Sequence, residues 1–174
     1  MNIFVTDPNP YVSAASLDDA RVVKMVLESV QMICTYAHLE GHTVPYKPTH
    51  QNNGLIRWLQ NDKNNFYWLM AHAYGLASEY RERYKRTHAS EDVLWDLCTI
   101  YGYEKGTPIA FLNKAKSLEH DMDYTHIQDV FTAYRLYLDA RWNKAIRDHA
   151  LNPRKRLPKW TGVKPPDWYT VEEI

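Results

Sequence analysis

"LDDARVVKMVLESVQMICTYAHLEG", residues 17–41, is the stretch that decides the fold. Val22, Val23, Val26, Leu27, Val30, Ile33, Cys34 and Ala37 recur at intervals of three and four, the spacing that lays one apolar stripe along an α-helix. Arg21, Lys24, Glu28, Gln31, Thr35 and His38 trace a separate polar line. Asp18 stands where a cap belongs and Gly41 supplies a stop. The expectation is one helix from Asp18 to about Glu40, with one face packed and the other available.

Outward from this helix the same periodicity continues. A short helix is predicted over Leu55 to Gln60, and a longer one from Asn61 or Asp62 to about Thr87, roughly 38 Å long at about 1.5 Å per residue. Phe66, Leu69, Ala73, Leu76, Ala77, Tyr80 and Tyr84 make its buried stripe. Asn65, Trp68, His72, Gly75, Glu79 and Arg83 make a neighbouring stripe of mixed chemistry. Ser90, Glu91 and Asp92 open a further helix that runs through Ile100 and ends near Gly102.

Tyr103 to Asp123 reads as a loop with a short helix around Ala110 to Lys116. Thr125 and Gln128 have capping-box spacing, and Val130, Phe131, Tyr134, Leu138, Trp142 and Ile146 then recur helically to about Asp148. The opening "NIFV" reads as a short strand or as a plug for the core. Beyond Leu151, four prolines and the basic run Arg154, Lys155 and Arg156 argue against regular structure, with Trp160, Trp168 and Tyr169 as pins. The expected fold is all-α: one domain over 1–174, a bundle of about five helices with an irregular Pro/Trp-rich tail over 151–174.

A chain of 174 residues is sized for a single core. Lys plus Arg and Asp plus Glu number 21 each, so there is no net field to gather a polyanion, although a local basic patch is compatible with the balance. Cys34 and Cys98 sit in apolar helical patterns and are read as reduced thiols. No apolar run approaches the length of a membrane span, about 18 residues, and "MNIFVTDPNP" has neither signal-peptide nor transit-peptide character. These features predict a cytoplasmic protein without a membrane partner. The 13 Tyr and 6 Trp, against 4 Phe, provide rings that suit both cores and pockets for planar ligands.

Candidate ligand groups gather in "GHTVPYKPTHQNNG", residues 41–54, where Pro45 and Pro48 stiffen a loop carrying Tyr46, Lys47, His50, Asn52 and Asn53. The loop leads into a helix N-terminus, where free N–H groups favour an anion. The same residues serve equally well to satisfy loop backbone and to cap the next helix. Arg21 and Lys24, one turn apart, can reach one phosphate, with Glu28 and Gln31 placed to read sugar or base edges. A solvated helix face of that composition is also ordinary. Asn65, Trp68 and His72 point the same way, Trp68 being either a stacking platform or core, and Arg83 is expected to pair with Glu79. The basic tract EYRERYKRTH, residues 79–88, reads as a solvated end.

No CxxC, HExxH, phosphate-binding glycine loop or nucleophile elbow is present. No catalytic residue, metal ligand or cofactor is assigned.

MNIFVTDP, LDDARVVKMVLES, YKPTH, NNFYWLMAHA, EYRERYKRTH and PKWTGVKPPDWY together resemble a family of small tailed-phage proteins over most of the chain. The resemblance implies a protein acting in the host cytoplasm. It also implies the functional class of counter-defence sponges, which trap nucleotide immune signals such as cyclic ADP-ribose derivatives or cyclic dinucleotides. A more remote likeness is to phage pyrimidine-dimer glycosylases, whose processed N-terminal amine is the nucleophile and is assisted by a Glu. Asn2 disfavours removal of Met1, so the threonine amine of that family has no counterpart here, and Glu28 is the acid it would use.

The leading expectation is a nucleotide held between the 18–40 and 61–87 helices under the 41–54 loop. Arg21, Lys24, Lys47 and His50 hold phosphate, Trp68 or Tyr46 stacks, and Glu28, Gln31, Asn53, Asn65, His72 and Arg83 complete the wall. Binding of a nucleotide-type small molecule ranks above glycosylase action on nucleic acid. A protein-binding module using the tail from Arg154 to Tyr169 comes third. A homo-oligomer is compatible with all three.

Overall fold

In the computed structural model, which describes residues 1–172, the first helix opens at Asn9. The Asn9 side chain accepts from the N–H groups of Tyr11 and Val12, and Pro10 fills the first helical position with a φ already suited to it, giving α1 (Pro10–Ala15). There follow α2 (Asp19–Leu39), α3 (Gly54–Asn61), α4 (Lys63–Tyr84), α5 (Glu91–Tyr101) and α6 (Val130–Leu151). A two-residue hairpin, β1 (Lys116–Ser117) with β2 (Met122–Asp123), pairs Lys116 with Asp123. The fold is therefore all-α and single-domain, with five helices of eight residues or more among the described residues.

The departures from expectation have local causes. α1 was not anticipated. α4 stops at Tyr84 because Lys85 turns left-handed, with φ 53°. Residues 110–116 form no helix: the Asn113 side chain donates to the carbonyl of Ile127 (3.1 Å) and accepts from the N–H of Ala115 (3.0 Å), which holds the segment extended. Asp129, rather than Thr125, caps α6 by accepting from the Thr132 N–H at 3.1 Å. Thr125 is instead held by Asp123. "NIFV" is the plug, with Ile3 and Val5 fully buried and no strand formed.

α4 is the spine, and both of its stripes are inside. α1 covers the mixed one, and Gly75 permits that approach, since a Cβ there would meet the Ala14 Cβ at 2.9 Å. Trp68 and His72 are consequently fully buried, with the rings stacked at 5.0 Å and 13°. The Trp68 indole donates to the Pro8 carbonyl at 2.7 Å. On α2, Met25, Ser29, Met32 and Tyr36 join the buried arc, whereas Val23 and Leu27 lie partly in solvent. Trp142 of α6 gathers the tail, with Trp160 at 4.8 Å, Tyr169 at 5.0 Å and Trp168 stacked at 5.4 Å. Among the described residues no helix is long and apolar enough to cross a membrane.

Neither ring nitrogen of His72 has a hydrogen-bond partner, and burial lowers its pKa to about 3. The unfolded chain takes up this proton below about pH 6.5 and the folded chain does not, so stability is full above that pH and falls as the pH drops toward 3. His88 and His120, also lowered by burial, act in the same direction. Urea unfolding at pH 5 is expected to show a loss of about 2 kcal/mol relative to pH 7.5 from His72 alone. His72→Phe is expected to remove that portion of the loss and to be neutral or stabilising at pH 7.5.

Candidate functional site

The first turn of α2 is where the tail crosses the body. The backbone N–H of Asp19 donates to the Lys159 carbonyl at 2.8 Å, and the Asp19 carboxylate accepts from the Thr161 N–H (3.1 Å) and hydroxyl (2.6 Å). Upstream, His149 Nδ1 donates to the Lys155 carbonyl at 2.6 Å, and the Asn152 side chain accepts from the Arg154 N–H at 3.1 Å. Residues 152–161 thus form a strap tied at one end to α6 and at the other to α2.

Between these ties the strap presents Arg154, Lys155, Arg156 and Lys159. Together with Asp18, Asp19, Ala20 and Val23 of α2, Tyr84 and His149, they line a cavity of about 590 Å³. None of the four cations belongs to an ion pair among the described residues. The two acids in the wall are engaged elsewhere. Asp18 Oδ1 accepts from Arg21 (2.6 Å) and from the Trp142 indole (3.0 Å). Asp19 meets Arg83 at 3.2 Å. The Tyr84 hydroxyl is raised in pKa by burial and then by the Asp19 carboxylate, so it remains a donor at neutral pH. The cavity combines unpaired cations with a phenol and an imidazole, a set suited to phosphate groups on a planar ligand.

The expected enclosure between the 18–40 and 61–87 helices is not formed, because α2 packs directly on α4; Tyr36 and Phe66 meet there at 4.5 Å. The 41–54 loop is tied to the far end of α2. His38 Nε2 donates to the Tyr46 carbonyl (3.0 Å), and the Thr49 N–H donates to Thr35 Oγ1 (3.0 Å). His38 lies 17 residues beyond Arg21 in sequence, about 25 Å along the helix, so Lys47 and Arg21 do not share one phosphate.

The remaining expected residues are dispersed as well. Arg21 lies over the rings of Phe4 and Trp142 at 5.5 and 5.9 Å. Lys24 is exposed and pairs with Glu28 at 3.2 Å, while Gln31 is half-buried further along. The Tyr46 hydroxyl donates to Ser90, and Lys47 and His50 are exposed. Asn53 caps α3 and accepts from Lys114 Nζ at 3.0 Å. Asn65 is buried, donating to the Trp58 carbonyl at 2.7 Å, and Trp68 and His72 are core.

Arg83 holds the cavity's floor from beneath. Its fully buried guanidinium donates to the carbonyls of Leu17 (2.7 Å) and Ala15 (3.1 Å) and, as expected, to Glu79 (2.8 Å). The sequence offered the tail from Arg154 to Tyr169, Lys159 included, only as a protein-binding surface, and it did not point to His149 or Tyr84 as ligand groups. No protein-family description, curated protein or solved structure matches the chain.

Arg83→Leu removes the cation from the partly buried Asp19 and Glu79 and leaves the carbonyls of Ala15 and Leu17 without this donor, and urea unfolding is expected to show a loss of about 3 kcal/mol. Lys24→Ala removes one exposed pair and is expected to stay within about 0.5 kcal/mol of the wild type.

Proposed function

We propose that this protein binds a phosphorylated nucleotide beneath the 152–161 strap and holds it without cleaving it, as a sponge for a cyclic or ADP-ribose-type immune signal. The observation that carries this reading is the set of four cations, Arg154, Lys155, Arg156 and Lys159, around one cavity without carboxylate partners among the described residues. Arginine forks engage phosphate oxygens two at a time, and the lysines add point charges. Tyr84 and His149 offer flat faces for a base or ribose. The ties to Asp19 and His149 hold the strap before the ligand arrives, so less ordering entropy opposes binding. The ligand chemistry expected from the sequence is thus kept, while its location moves from the 41–54 loop to the strap.

Calorimetry against cyclic and linear adenine and guanine nucleotides is expected to yield at least one saturable ligand. The double variant Arg154→Ala/Arg156→Ala is expected to weaken it roughly 100-fold, the loss of two charge-assisted contacts. Lys24→Ala and His50→Ala are expected to leave affinity unchanged. Intact ligand recovered after heat denaturation indicates sequestration, whereas recovered fragments indicate hydrolysis. The reading fails if no nucleotide saturates or if the double variant binds as the wild type does.

A further inference from the structure

Away from the strap, α1, α4, α5 and the segment after α5 enclose two more cavities, of about 470 and 440 Å³, which share Tyr11 and Tyr103 as walls. One is floored by Ala71 and Phe111 and flanked by Pro8, Pro10 and Pro108. The other lies between Tyr74 and Trp95. Tyr103 is 63% exposed, Trp95 54% and Tyr11 43%. Single wet aromatics are common on protein surfaces, but these are contiguous: Tyr74 contacts Trp95 at 5.3 Å and Tyr103 at 6.1 Å, and the Tyr11 and Tyr103 hydroxyls are hydrogen-bonded.

The trough is held open by its backbone. A Cβ on Gly106 would lie 2.2 Å from the Asn64 carbonyl oxygen and 2.3 Å from the Trp68 nitrogen, so the segment carrying Tyr103 rests directly on α4. The Thr107 N–H donates to the Asn64 side chain at 3.2 Å and fixes the same approach.

The charge here is opposite in sign to that of the strap. Glu104 lines the trough, and Asp92, three residues before Trp95, shares its face of α5. Both carboxylates are exposed, and Arg81 in the wall is already paired with Glu91, leaving Lys105 as the opposing cation.

We infer that this trough docks an extended, basic, proline-containing segment of a partner protein in the polyproline II conformation. Ring edges standing apart make slots for proline rings, and the Trp95 indole N–H, with the one hydroxyl hydrogen that the Tyr11–Tyr103 pair leaves over, can donate to the carbonyls that a polyproline II helix leaves free. The carboxylate rim favours arginine or lysine beside those prolines and repels phosphate, which separates this surface from the nucleotide cavity.

The test titrates the full chain with a synthetic Arg-Pro-Pro repeat peptide, followed by calorimetry and tryptophan fluorescence. Saturable binding that weakens with added salt is expected, with no binding of a Glu-Pro-Pro repeat of equal length. Trp95→Ala and Tyr103→Ala are each expected to lower affinity roughly tenfold or more. The double variant Asp92→Lys/Glu104→Lys, which touches only exposed charge, is expected to do the same and keeps the test decisive if a ring variant loses its fold. Arg154→Ala/Arg156→Ala is expected to leave peptide affinity unchanged. Absence of saturation, equal binding of the acidic repeat, or unaltered affinity in the ring and charge variants overturns the proposal. So does saturable binding of adenosine monophosphate that Trp95→Ala abolishes.

Discussion

The guanidinium of Arg83 is the constraint on which the arrangement of helices depends. A permanently charged group with no solvent contact has to be neutralised and hydrogen-bonded within the protein, and Arg83 meets both demands with Asp19, Glu79 and the carbonyls of Ala15 and Leu17. Those carbonyls belong to the end of α1 and the turn that follows it, and Asp19 is the first residue of α2. One side chain on the last turn of α4 therefore fixes where α1 ends, where α2 begins and how both meet the spine. Asp19 then passes the constraint on, because its remaining capacity is taken by Thr161 of the tail.

A second hub completes the connection. The Trp142 indole donates to Asp18, while its ring faces meet Trp160, Trp168 and Tyr169. An indole combines a large apolar body with one donor, so it can seal a tail onto a core and still satisfy a buried carboxylate. Asp18 and Asp19 thus bind Arg21, Trp142, Arg83 and Thr161 from adjacent positions. With their charge committed, they oppose the four cations of the strap less than two free carboxylates would.

Much of the architecture was legible because it is written in local periodicity. The α2 pattern, the α5 cap region at Ser90 and the α6 stripe from Val130 all depend on residues three or four apart. α1 carries a usable signal, Asn followed by Pro, but six residues give too little periodicity to reinforce it. Missing α1 had a direct cost, since it is the element that turns the mixed stripe of α4 into core and removes Trp68 and His72 from any ligand. The strap cavity was beyond such reasoning for a different reason. Val23, Tyr84 and Arg156 are far apart in the chain and meet only through Arg83, Asp19 and Trp142. Periodicity identifies which face of a helix is wet, not which distant segment comes to lie on it.

The 41–54 loop shows how residue type alone can suggest ligand groups that the fold already uses. Its prolines do stiffen it, and its polar groups are largely occupied: Tyr46 with His38 and Ser90, Thr49 with Thr35, Asn53 with the N-terminus of α3 and with Lys114. A loop that must cross from the end of α2 to the start of α3 has backbone and side-chain groups to satisfy, and these contacts satisfy most of those they reach, the buried Thr49 hydroxyl being left without a partner among the described residues. The strap solves the converse problem. Its backbone is tied at His149, Asn152 and Asp19, while its long cationic side chains are left without carboxylates among the described residues. Fixing the main chain while leaving charged ends unpaired lets a clamp recruit an anion at low entropic cost; the loop offers one such lysine, Lys47, whereas the strap sets four cations around one cavity, and that clustering separates the two segments.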